Sequence, residues 1–442
     1  MADAMQAPTG VNAERIILAQ DDIPRRWHNL LPELPVSLPD PKPEIGASPS
    51  RKRVMDLMKG VWAEEHIRQE YSDEARIKIP DEVVDYYLHI GRPTPLHRAR
   101  RLEEYLKSPA RIYFKREDTL PTGSFKINTV ISQIYYAIKE GFDIVADGTG
   151  AGQTGCAVAA VSAAMGVKAK IFMVRSSYLQ KPLRVAWMKM CGADIKPSPS
   201  SETEFGRRYL KENPEHPGSL GITTVETMEW ARANKAFGLQ GSIFNYVMMQ
   251  QTIMGLETKK QLELADEEPD VLIGCVGAGS NFMGFATPFI SDKLKHKASH
   301  RIIDVRPQEC APEVFGEYRY DLLSPGTTGP LYKMYTLGSD FTIPALVSEG
   351  LRFHGVAPML SLLINKKVVE ATAVKEKDAI EAGRLCLEKE NFLPAPESAH
   401  AVKIAIDEAL KAKQKNEKKV IVAHVSGGGF LDIGGYGKVL DL

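Results

Sequence analysis

The stretch FDIVADGTGAGQTGCAVAAVSAAMG, residues 142–166, carries the pattern that decides the fold. Its apolar start, FDIVADG, is typical of a buried strand, and its small-residue end, QTGCAVAAVSAAMG, is typical of a helix. The glycine-rich loop TGAGQT joins the two. Strands that alternate with helices form parallel sheets, and the free amides at the start of a helix bind anions. The stretch therefore predicts an α/β fold with a ligand-binding loop.

The same alternation continues on both sides of this stretch. In the first series, further strands are predicted at ARIYFKRE (110–117), KAKIFMV (168–174) and ADIKPSP (193–199), with helices at SFKINTVISQIYYAIKEG (124–141) and PLRVAWMKMCGA (182–193). A second series begins at PDVLIGCVGAGSNF (269–282), continues through RIIDVRP (301–307) and closes with KKVIVAHVSGGGF (418–430). Two such series predict two three-layer domains with parallel sheets, and a ligand in the cleft between them.

The predicted domain division follows from these series. Residues 1–90 are expected to form an N-terminal arm and helices that pack on the C-terminal domain, because residues 20–50 are rich in proline. Residues 91–240 are expected to form the N-terminal α/β domain, and residues 241–442 the C-terminal one. The segment GSDFTIPALVSEGLRFHGVAP (338–358) is too irregular for one element and is expected to border the cleft.

Composition excludes several classes of function. The 442 residues include 56 basic and 56 acidic side chains, so no net charge favours nucleic acid or an anionic membrane. The N-terminus lacks the pattern of a signal peptide, and no long apolar run predicts a membrane span, so we expect a cytoplasmic protein. The five cysteines never occur in CxxC spacing, which argues against disulfides and a zinc site; they are Cys156, Cys191, Cys275, Cys310 and Cys386.

Four glycine-containing turns follow apolar strands, and one of them contains an unusual lysine. The turns are PTGSFKIN (121–128), GTGAGQTG (148–155), GCVGAGSN (274–281) and HVSGGGF (424–430). Lys126 lies in the first turn of a predicted helix, where the helix dipole disfavours a cation. A lysine in such surroundings has a lowered pKa and can form a Schiff base with an aldehyde.

A dinucleotide site is an alternative interpretation of one turn. Gly277 and Gly279 give the pattern GxG after a strand, and Asp304 lies near the end of the next strand, where an acid binds ribose. This hypothesis of a dehydrogenase leaves Lys126 unexplained.

Eight segments together resemble a known family. They are RPTPL (92–96), KRED (115–118), TGSFKIN (122–128), TGAGQTG (149–155), GAGSN (277–281), GLRFHG (350–355), PAPESAHA (394–401) and SGGGF (426–430). In order and spacing they resemble the fold type II pyridoxal-phosphate enzymes, and among these the tryptophan synthase β-chain family. The long N-terminal arm and the GLRFHG segment are similar to the variant second group of that family.

The resemblance assigns roles to individual residues. It implies that Lys126 holds pyridoxal phosphate and then moves the α-proton of the substrate, that Ser426 meets the pyridine nitrogen, and that Glu390 flanks the cofactor ring. The cofactor phosphate is expected to lie on Gly277, Ala278, Gly279, Ser280 and Asn281. The α-carboxylate of an amino acid is expected to bind Thr149, Gly150, Ala151, Gly152, Gln153 and Thr154.

The resemblance also implies a reaction. An enzyme of this kind forms an aminoacrylate from L-serine or O-phospho-L-serine and adds indole to give L-tryptophan, and Arg352 is expected to receive a phosphate leaving group. Members of the family are homodimers and bind a monovalent cation, K⁺ or Na⁺, through backbone carbonyls. No metal bound by side chains is expected, and whether an α-chain partner supplies the indole is left open.

Three residues depart from the family pattern. Gly148 replaces the glutamate that assists departure of the serine hydroxyl and handles the proton of indole, a loss of an acid-base group worth on the order of 10²-fold. Phe125 replaces a histidine, and Arg306 stands where an acid is common. Asp147 and Glu349 are candidate substitutes for the missing carboxylate, although Asp147 faces the opposite side of its strand from residue 148 and would need a bulge.

These departures keep other functions open. Glycine at position 148 is expected to enlarge the acceptor pocket, so that another nucleophile replaces indole or the enzyme deaminates serine or threonine. O-phosphoserine is favoured by the same loss, because phosphate leaves without a proton from the enzyme. An inactive protein that binds pyridoxal phosphate is a further alternative. His354 and His400 are interpreted as structural.

Overall fold

The computed structural model describes residues 14–442, and its strands coincide with the apolar and β-branched runs of the sequence. The strands are β1 (Arg15–Ile16), β2 (Arg26–His28), β3 (Arg76–Lys78), β4 (Leu96–Arg98), β5 (Arg111–Arg116), β6 (Ile144–Thr149), β7 (Lys168–Val174), β8 (Asp194–Ser198), β9 (Phe237–Gly238), β10 (Val271–Cys275), β11 (Arg301–Pro307), β12 (Glu317–Leu322), β13 (Leu331–Thr336), β14 (Glu370–Val374) and β15 (Val420–Val425).

Helices occupy most of the chain between the strands. They are α1 (Arg51–Met58), α2 (Glu64–Glu70), α3 (Asp81–His89), α4 (Arg100–Leu106), α5 (Ile127–Lys139), α6 (Gln153–Met165), α7 (Arg175–Gln180), α8 (Pro182–Met190), α9 (Glu204–Glu212), α10 (Leu220–Ala233), α11 (Asn245–Gln250), α12 (Ile253–Leu264), α13 (Ser280–His296), α14 (Pro312–Phe315), α15 (Pro358–Asn365), α16 (Glu376–Glu390), α17 (Pro396–Lys415) and α18 (Ile433–Leu440). No helix within residues 14–442 is both long and apolar enough to cross a membrane.

The smaller sheet is parallel and has the order β8-β7-β6-β9. Side chains alternate along β6, as they must in a strand. Val145 packs into the apolar core that α5 and α6 line, whereas Ala146 packs with Ala231 of α10 on the other face. The sheet is therefore the middle layer of three, which confirms the predicted architecture for this half of the molecule.

The larger sheet has the order β1-β4-β5-β15-β10-β11-β14, and its strands from β5 to β14 are parallel. Both faces of its central strands are buried: Leu272 faces the core under α13, and Val271 and Ile273 face the core under α17. Strands β4 and β5 belong to this sheet, so residues 96–116 depart from the predicted first domain and complete the second one.

The proline-rich arm contributes only short elements. Strand β2 pairs with β3, and the side chain of Trp27 in β2 is completely buried.

The segment 338–358, expected to be irregular, contains one short 3-10 helix, Glu349–Leu351. A separate hairpin of β12 and β13 precedes this segment.

Four charged side chains form a cluster that is completely enclosed. Arg92 donates to Glu117 (Nη1 to Oε2, 2.8 Å) and to Glu257 (Nε to Oε1, 2.9 Å), and Lys115 donates to Glu257 (Nζ to Oε2, 2.7 Å). All four side chains are 0 % exposed. Burial would raise the pKa of Glu117, but the neighbouring positive charges, Arg92 first and Lys115 after it, together lower that pKa to about 2. Two positive charges thus balance two negative ones.

We expect Glu257→Gln to lower the free energy of unfolding by about 3–5 kcal/mol, because it leaves two buried cations against one carboxylate. Urea unfolding followed by circular dichroism measures the change. Arg384→Gln is the matched control, since Arg384 is exposed and pairs with Glu388 along α16, and a change below about 0.5 kcal/mol is expected there. Equal stability of Glu257→Gln and the wild type would show that the cluster is not held by charge.

Candidate active site

Lys126 lies directly before α5, and its amine is at the centre of the candidate active site. Its Nζ donates to the carbonyl oxygen of Gly241 at 3.0 Å. The packing around the amine lowers the pKa of Lys126 to about 8, against the opposing effects of Asp147 and Glu397. An amine with such a pKa is available to attack an aldehyde near neutral pH.

The GAGSN turn meets Lys126 at a shared acceptor. Ser280 Oγ donates to the same carbonyl oxygen of Gly241, at 3.4 Å. Gly279 has φ +130°, a conformation that favours glycine, and Ala278 accepts a hydrogen bond from the amide of Ala357 at 2.7 Å. The turn opens α13, so its free amides face the position where an anion would bind.

Ser426 closes another side of the site. Its Oγ lies 2.8 Å from Oγ of Ser398 and 3.6 Å from Sγ of Cys275. Its carbonyl oxygen accepts from the amide of Phe125 at 3.0 Å, which brings the end of β15 against the residue before Lys126. Ser426 thus offers a neutral hydroxyl beside the lysine turn.

The loop from Thr149 to Thr154 reaches the start of α6, where the first amides have no acceptor within the helix. Gly152 has φ +92° and begins the helix. The carbonyl of Ala151 accepts from Nη1 of Arg184 at 2.8 Å, and Nη2 of Arg184 binds Asp432 at 2.5 Å. Arg184 therefore holds the loop against the C-terminal end of the chain, a role that the sequence did not reveal.

Gly148 does not open a pocket, and the prediction that it does is wrong. A Cβ atom at residue 148 would lie 2.8 Å from Oγ1 of Thr227 and 2.9 Å from the carbonyl oxygen of Thr223. Both residues belong to α10, which packs directly on this position. The space that a side chain would need is filled by the helix, so the missing glutamate leaves no cavity.

Asp147 faces the other side of β6, toward Lys126. Pairing of β6 with β7 is continuous from Ile144 to Thr149, so no bulge is present. Asp147 therefore points away from the side of residue 148, as expected, and it reaches the side of Lys126 without a bulge.

Glu390 is not brought to this site. One of its carboxylate oxygens accepts from the amide of Leu102 at 2.7 Å, and the other lies 3.1 Å from Nε2 of His97, where α16 packs on α4. Besides Asp147, the carboxylate that acts on Lys126 is Glu397, at the start of α17, which accepts from the amide of Gly350 at 2.8 Å. Glu397 belongs to the family-like segment PAPESAHA (394–401), and this membership could have identified it from the sequence.

Arg352 and Glu349 lie together at the short 3-10 helix of the irregular segment. Arg352 donates from Nη2 to the carbonyl of Ile343 at 2.9 Å. Glu349 accepts from the hydroxyl of Ser177 at 2.6 Å, which ties this segment to α7. Glu349 is not among the charged groups that shift the pKa of Lys126, so the structure does not place it as the substitute carboxylate.

The two other departures have structural explanations. Phe125 lies with its ring 6.4 Å from the imidazole of His424, and burial lowers the pKa of His424 to about 3, so that this imidazole stays neutral. Arg306 is completely buried and binds Glu313 (2.8 Å) and the carbonyl oxygens of Leu351 and Gly355 (both 3.0 Å). Arg306 thus supports the backbone of GLRFHG.

The histidines interpreted as structural have such contacts. Nδ1 of His354 lies 3.2 Å from Oγ1 of Thr336, and Nδ1 of His400 lies 2.9 Å from the carbonyl of Pro396. Asp304, the proposed ribose ligand, is completely buried beside Glu313 and Arg306. It offers no accessible carboxylate to a dinucleotide.

The residues around Lys126 fit pyridoxal phosphate. A buried amine with a lowered pKa suits the aldehyde, an amide-rich helix start suits the phosphate, and a neutral hydroxyl suits an unprotonated pyridine nitrogen. No group of three or more His, Cys, Asp or Glu side chains within the described part of the chain has an arrangement that could hold a metal ion.

We expect Gly148→Ala to lower the free energy of unfolding by about 1–3 kcal/mol, because the added methyl group meets a backbone oxygen of α10. Thermal and urea unfolding measure the effect. Gly434→Ala is the control, since a Cβ atom there meets nothing within 4 Å. A Gly148→Ala protein as stable as the wild type would restore the hypothesis of an open pocket.

Comparisons with known proteins identify the family of this chain. The family model for pyridoxal-phosphate dependent enzymes matches residues 87–427. The tryptophan synthase beta chain 2 of Methanothermobacter thermautotrophicus is 48 % identical over 97 % of this chain and 99 % of its own length. The tryptophan synthase beta chain 1 of Sulfurisphaera tokodaii is 49 % identical, over 94 % of this chain and 97 % of its own.

Solved structures agree in fold. A fungal L-serine ammonia-lyase from Rhizomucor miehei gives a TM-score of 0.61 at 18 % identity, over 79 % of this chain and 97 % of its own. The processed form of threonine deaminase isoform 2 from Solanum lycopersicum gives a TM-score of 0.59 at 18 % identity, over 82 % of this chain and 95 % of its own. The dehydrogenase and the inactive protein are thereby set aside: the chain belongs to the pyridoxal-phosphate dependent enzymes and, within them, to the tryptophan synthase beta chain family.

Proposed function

We propose that this enzyme removes the β-substituent of L-serine or O-phospho-L-serine and joins indole in its place, to give L-tryptophan. The observation that carries the proposal is the enclosed amine of Lys126, with its pKa near 8, in a chain closely similar to tryptophan synthase beta chains. Pyridoxal phosphate, when bound, supplies the electron sink that lets the α-proton and the β-substituent leave.

The residues of the chain divide the remaining work. Lys126 holds the cofactor and moves the α-proton of the substrate. The GAGSN turn binds the cofactor phosphate, and Ser426 meets the ring nitrogen with a hydroxyl that does not protonate it. The amides from Thr149 to Thr154 bind the substrate carboxylate at the start of α6. Glu397, rather than Glu390, is the carboxylate beside the cofactor ring.

Departure of the leaving group is the step for which the glycine at position 148, a departure from the family pattern, matters most. With glycine at 148, no side chain at that position can protonate a departing hydroxyl. Phosphate departs without such a proton, and Arg352, in the irregular segment, is the cation proposed to receive it. O-phosphoserine is therefore the favoured donor, and serine the slower one.

Deamination is the second candidate. This candidate rests on the same lack of a carboxylate at residue 148. An enzyme that releases the β-substituent but has no group to direct an acceptor nucleophile gives a keto acid and ammonia. With the space beside residue 148 filled by α10, this candidate no longer depends on an enlarged pocket. Release of pyruvate faster than tryptophan in the presence of indole would favour it.

The proposed assembly and location are those expected for the family. The protein is proposed to be a cytoplasmic homodimer that binds K⁺ or Na⁺ through backbone carbonyls, and an α-chain partner remains outside the proposal. All five cysteines carry free thiols, which supports a reducing compartment.

Lys126→Ala is expected to abolish both the visible absorbance of bound pyridoxal phosphate and the formation of tryptophan from O-phosphoserine and indole. The reason is the loss of the amine that bonds the cofactor. Absorbance spectroscopy and chromatography of the products check this. The exposed Lys52→Ala is the control and should keep both signals. A coloured Lys126→Ala protein, or a coloured wild type that makes no tryptophan, would contradict the proposal.

Arg352→Gln is expected to reduce kcat/KM for O-phosphoserine at least about tenfold more than kcat/KM for serine, because a guanidinium that binds phosphate contributes nothing to a hydroxyl. Steady-state kinetics with both donors measures the ratio. Arg384→Gln, on the exposed face of α16, should leave the ratio unchanged. An equal loss with both donors would remove Arg352 from the leaving-group site.

A further inference from the structure

One carboxylate near Lys126 is left without a fixed role. Asp147 is 1 % exposed, and its Oδ2 atom has no hydrogen-bond partner among the described residues. The backbone amide of Gly148 acts on this carboxylate and lowers its pKa, against the larger effect of burial. A buried ionised carboxylate is costly unless a cation or several donors compensate for lost water, so an incomplete shell of this kind needs a partner.

The alternation of β6 identifies that partner. Residue 148 faces Thr223 and Thr227 of α10, so Asp147 must face the opposite layer, where Val145 packs with α5 and α6. Lys126 lies at the start of α5, on this side. It is the charged side chain that acts on Asp147, and its amine has a carbonyl oxygen, that of Gly241, as its hydrogen-bond acceptor.

Other charged groups near this layer are engaged elsewhere. Glu397 also acts on Lys126, but Lys181 and Arg184 act on Glu397, and it binds the amide of Gly350. On the far side of the sheet, Glu226 of α10 accepts from Ser200 and Thr203. Asp147 is therefore the carboxylate whose environment depends most directly on the lysine.

We propose that Asp147 is a positioning residue that stabilises the ammonium form of Lys126 and so sets when this lysine carries its proton. The inference rests on the proposed function, in which Lys126 takes a proton from the α-carbon of the substrate. The neutral amine accepts that proton and becomes an ammonium, the carbon keeps the electron pair, and Asp147 balances the new charge. No proton enters or leaves the site in this step.

The acidities of the two groups support this role. Burial raises the pKa of Asp147 to about 7 and lowers the pKa of Lys126 to about 8, and each group opposes the effect of burial on the other. Near neutral pH, a proton can thus pass between Asp147 and Lys126 with a small change in free energy. Without the carboxylate of Asp147, only Glu397 would oppose the effect of burial on Lys126, and the pKa of Lys126 would fall further.

The experiment measures the uptake of pyridoxal phosphate by the full chain, freed of cofactor, as a function of pH. Only the neutral amine bonds the aldehyde, so the rate reports the pKa of Lys126 and needs no turnover. For Asp147→Asn we expect the midpoint to fall by about one pH unit, which makes uptake at pH 7 about fivefold faster. Turnover should fall at least about tenfold, and its pH profile should shift in the same direction.

Matched variants separate charge from structure. Asp143→Asn, just before the same strand, should keep the wild-type midpoint, and Asp147→Glu should restore it at least in part. Asp147→Ser removes the charge with a smaller side chain if the asparagine variant does not fold. An unchanged midpoint in the neutral variants would overturn the inference. Wild-type protein that takes up the cofactor but makes no tryptophan would overturn only the proposed reaction, and failure to take up cofactor would overturn both.

Discussion

The enclosed cluster of Arg92, Lys115, Glu117 and Glu257 is the interaction on which the rest of the structure depends. Lys115 lies in β5 of the larger sheet, and Glu257 lies in α12. Arg92 also donates to Asn128, in the first turn of the helix α5 that follows Lys126, at 2.7 Å. Because each buried charge is costly without its partners, the cluster constrains how the larger sheet and the lysine helix α5 are joined.

The candidate active site forms where several turns meet near the start of α5. The carbonyl of Gly241 receives both Lys126 and Ser280, so the lysine turn and the anion-binding turn converge on one atom. Arg184 joins the loop at Ala151 to Asp432 near the C-terminus. Distant parts of the chain thus come together at the proposed site. The proposed binding groups of the loop are backbone amides, which is consistent with its small number of reactive side chains.

Local pattern was sufficient for the repeated strands and helices and for Lys126, since each depends on residues close together in sequence. It was insufficient to choose the carboxylate that is proposed to flank the cofactor. Glu390 and Glu397 flank the same apolar segment, and only the packing of α16 on α4 directs the first away from the cleft while α17 carries the second into it. Membership of β5 in the larger sheet likewise depends on pairing with β15, which is over 300 residues away in sequence.

The sequence by itself determined the fold class, the family and the lysine, because alternating periodicity and glycine turns are properties of short segments. Only the tertiary structure decided what the glycine at 148 means. A missing side chain suggests free space, but α10 packs on β6 and fills it, as dense protein interiors do. The same alternation turns the neighbouring Asp147 toward Lys126. The glycine at position 148 therefore leaves no free space in the loop GTGAGQTG. The side chain that can act on Lys126 is that of Asp147, one residue before this loop.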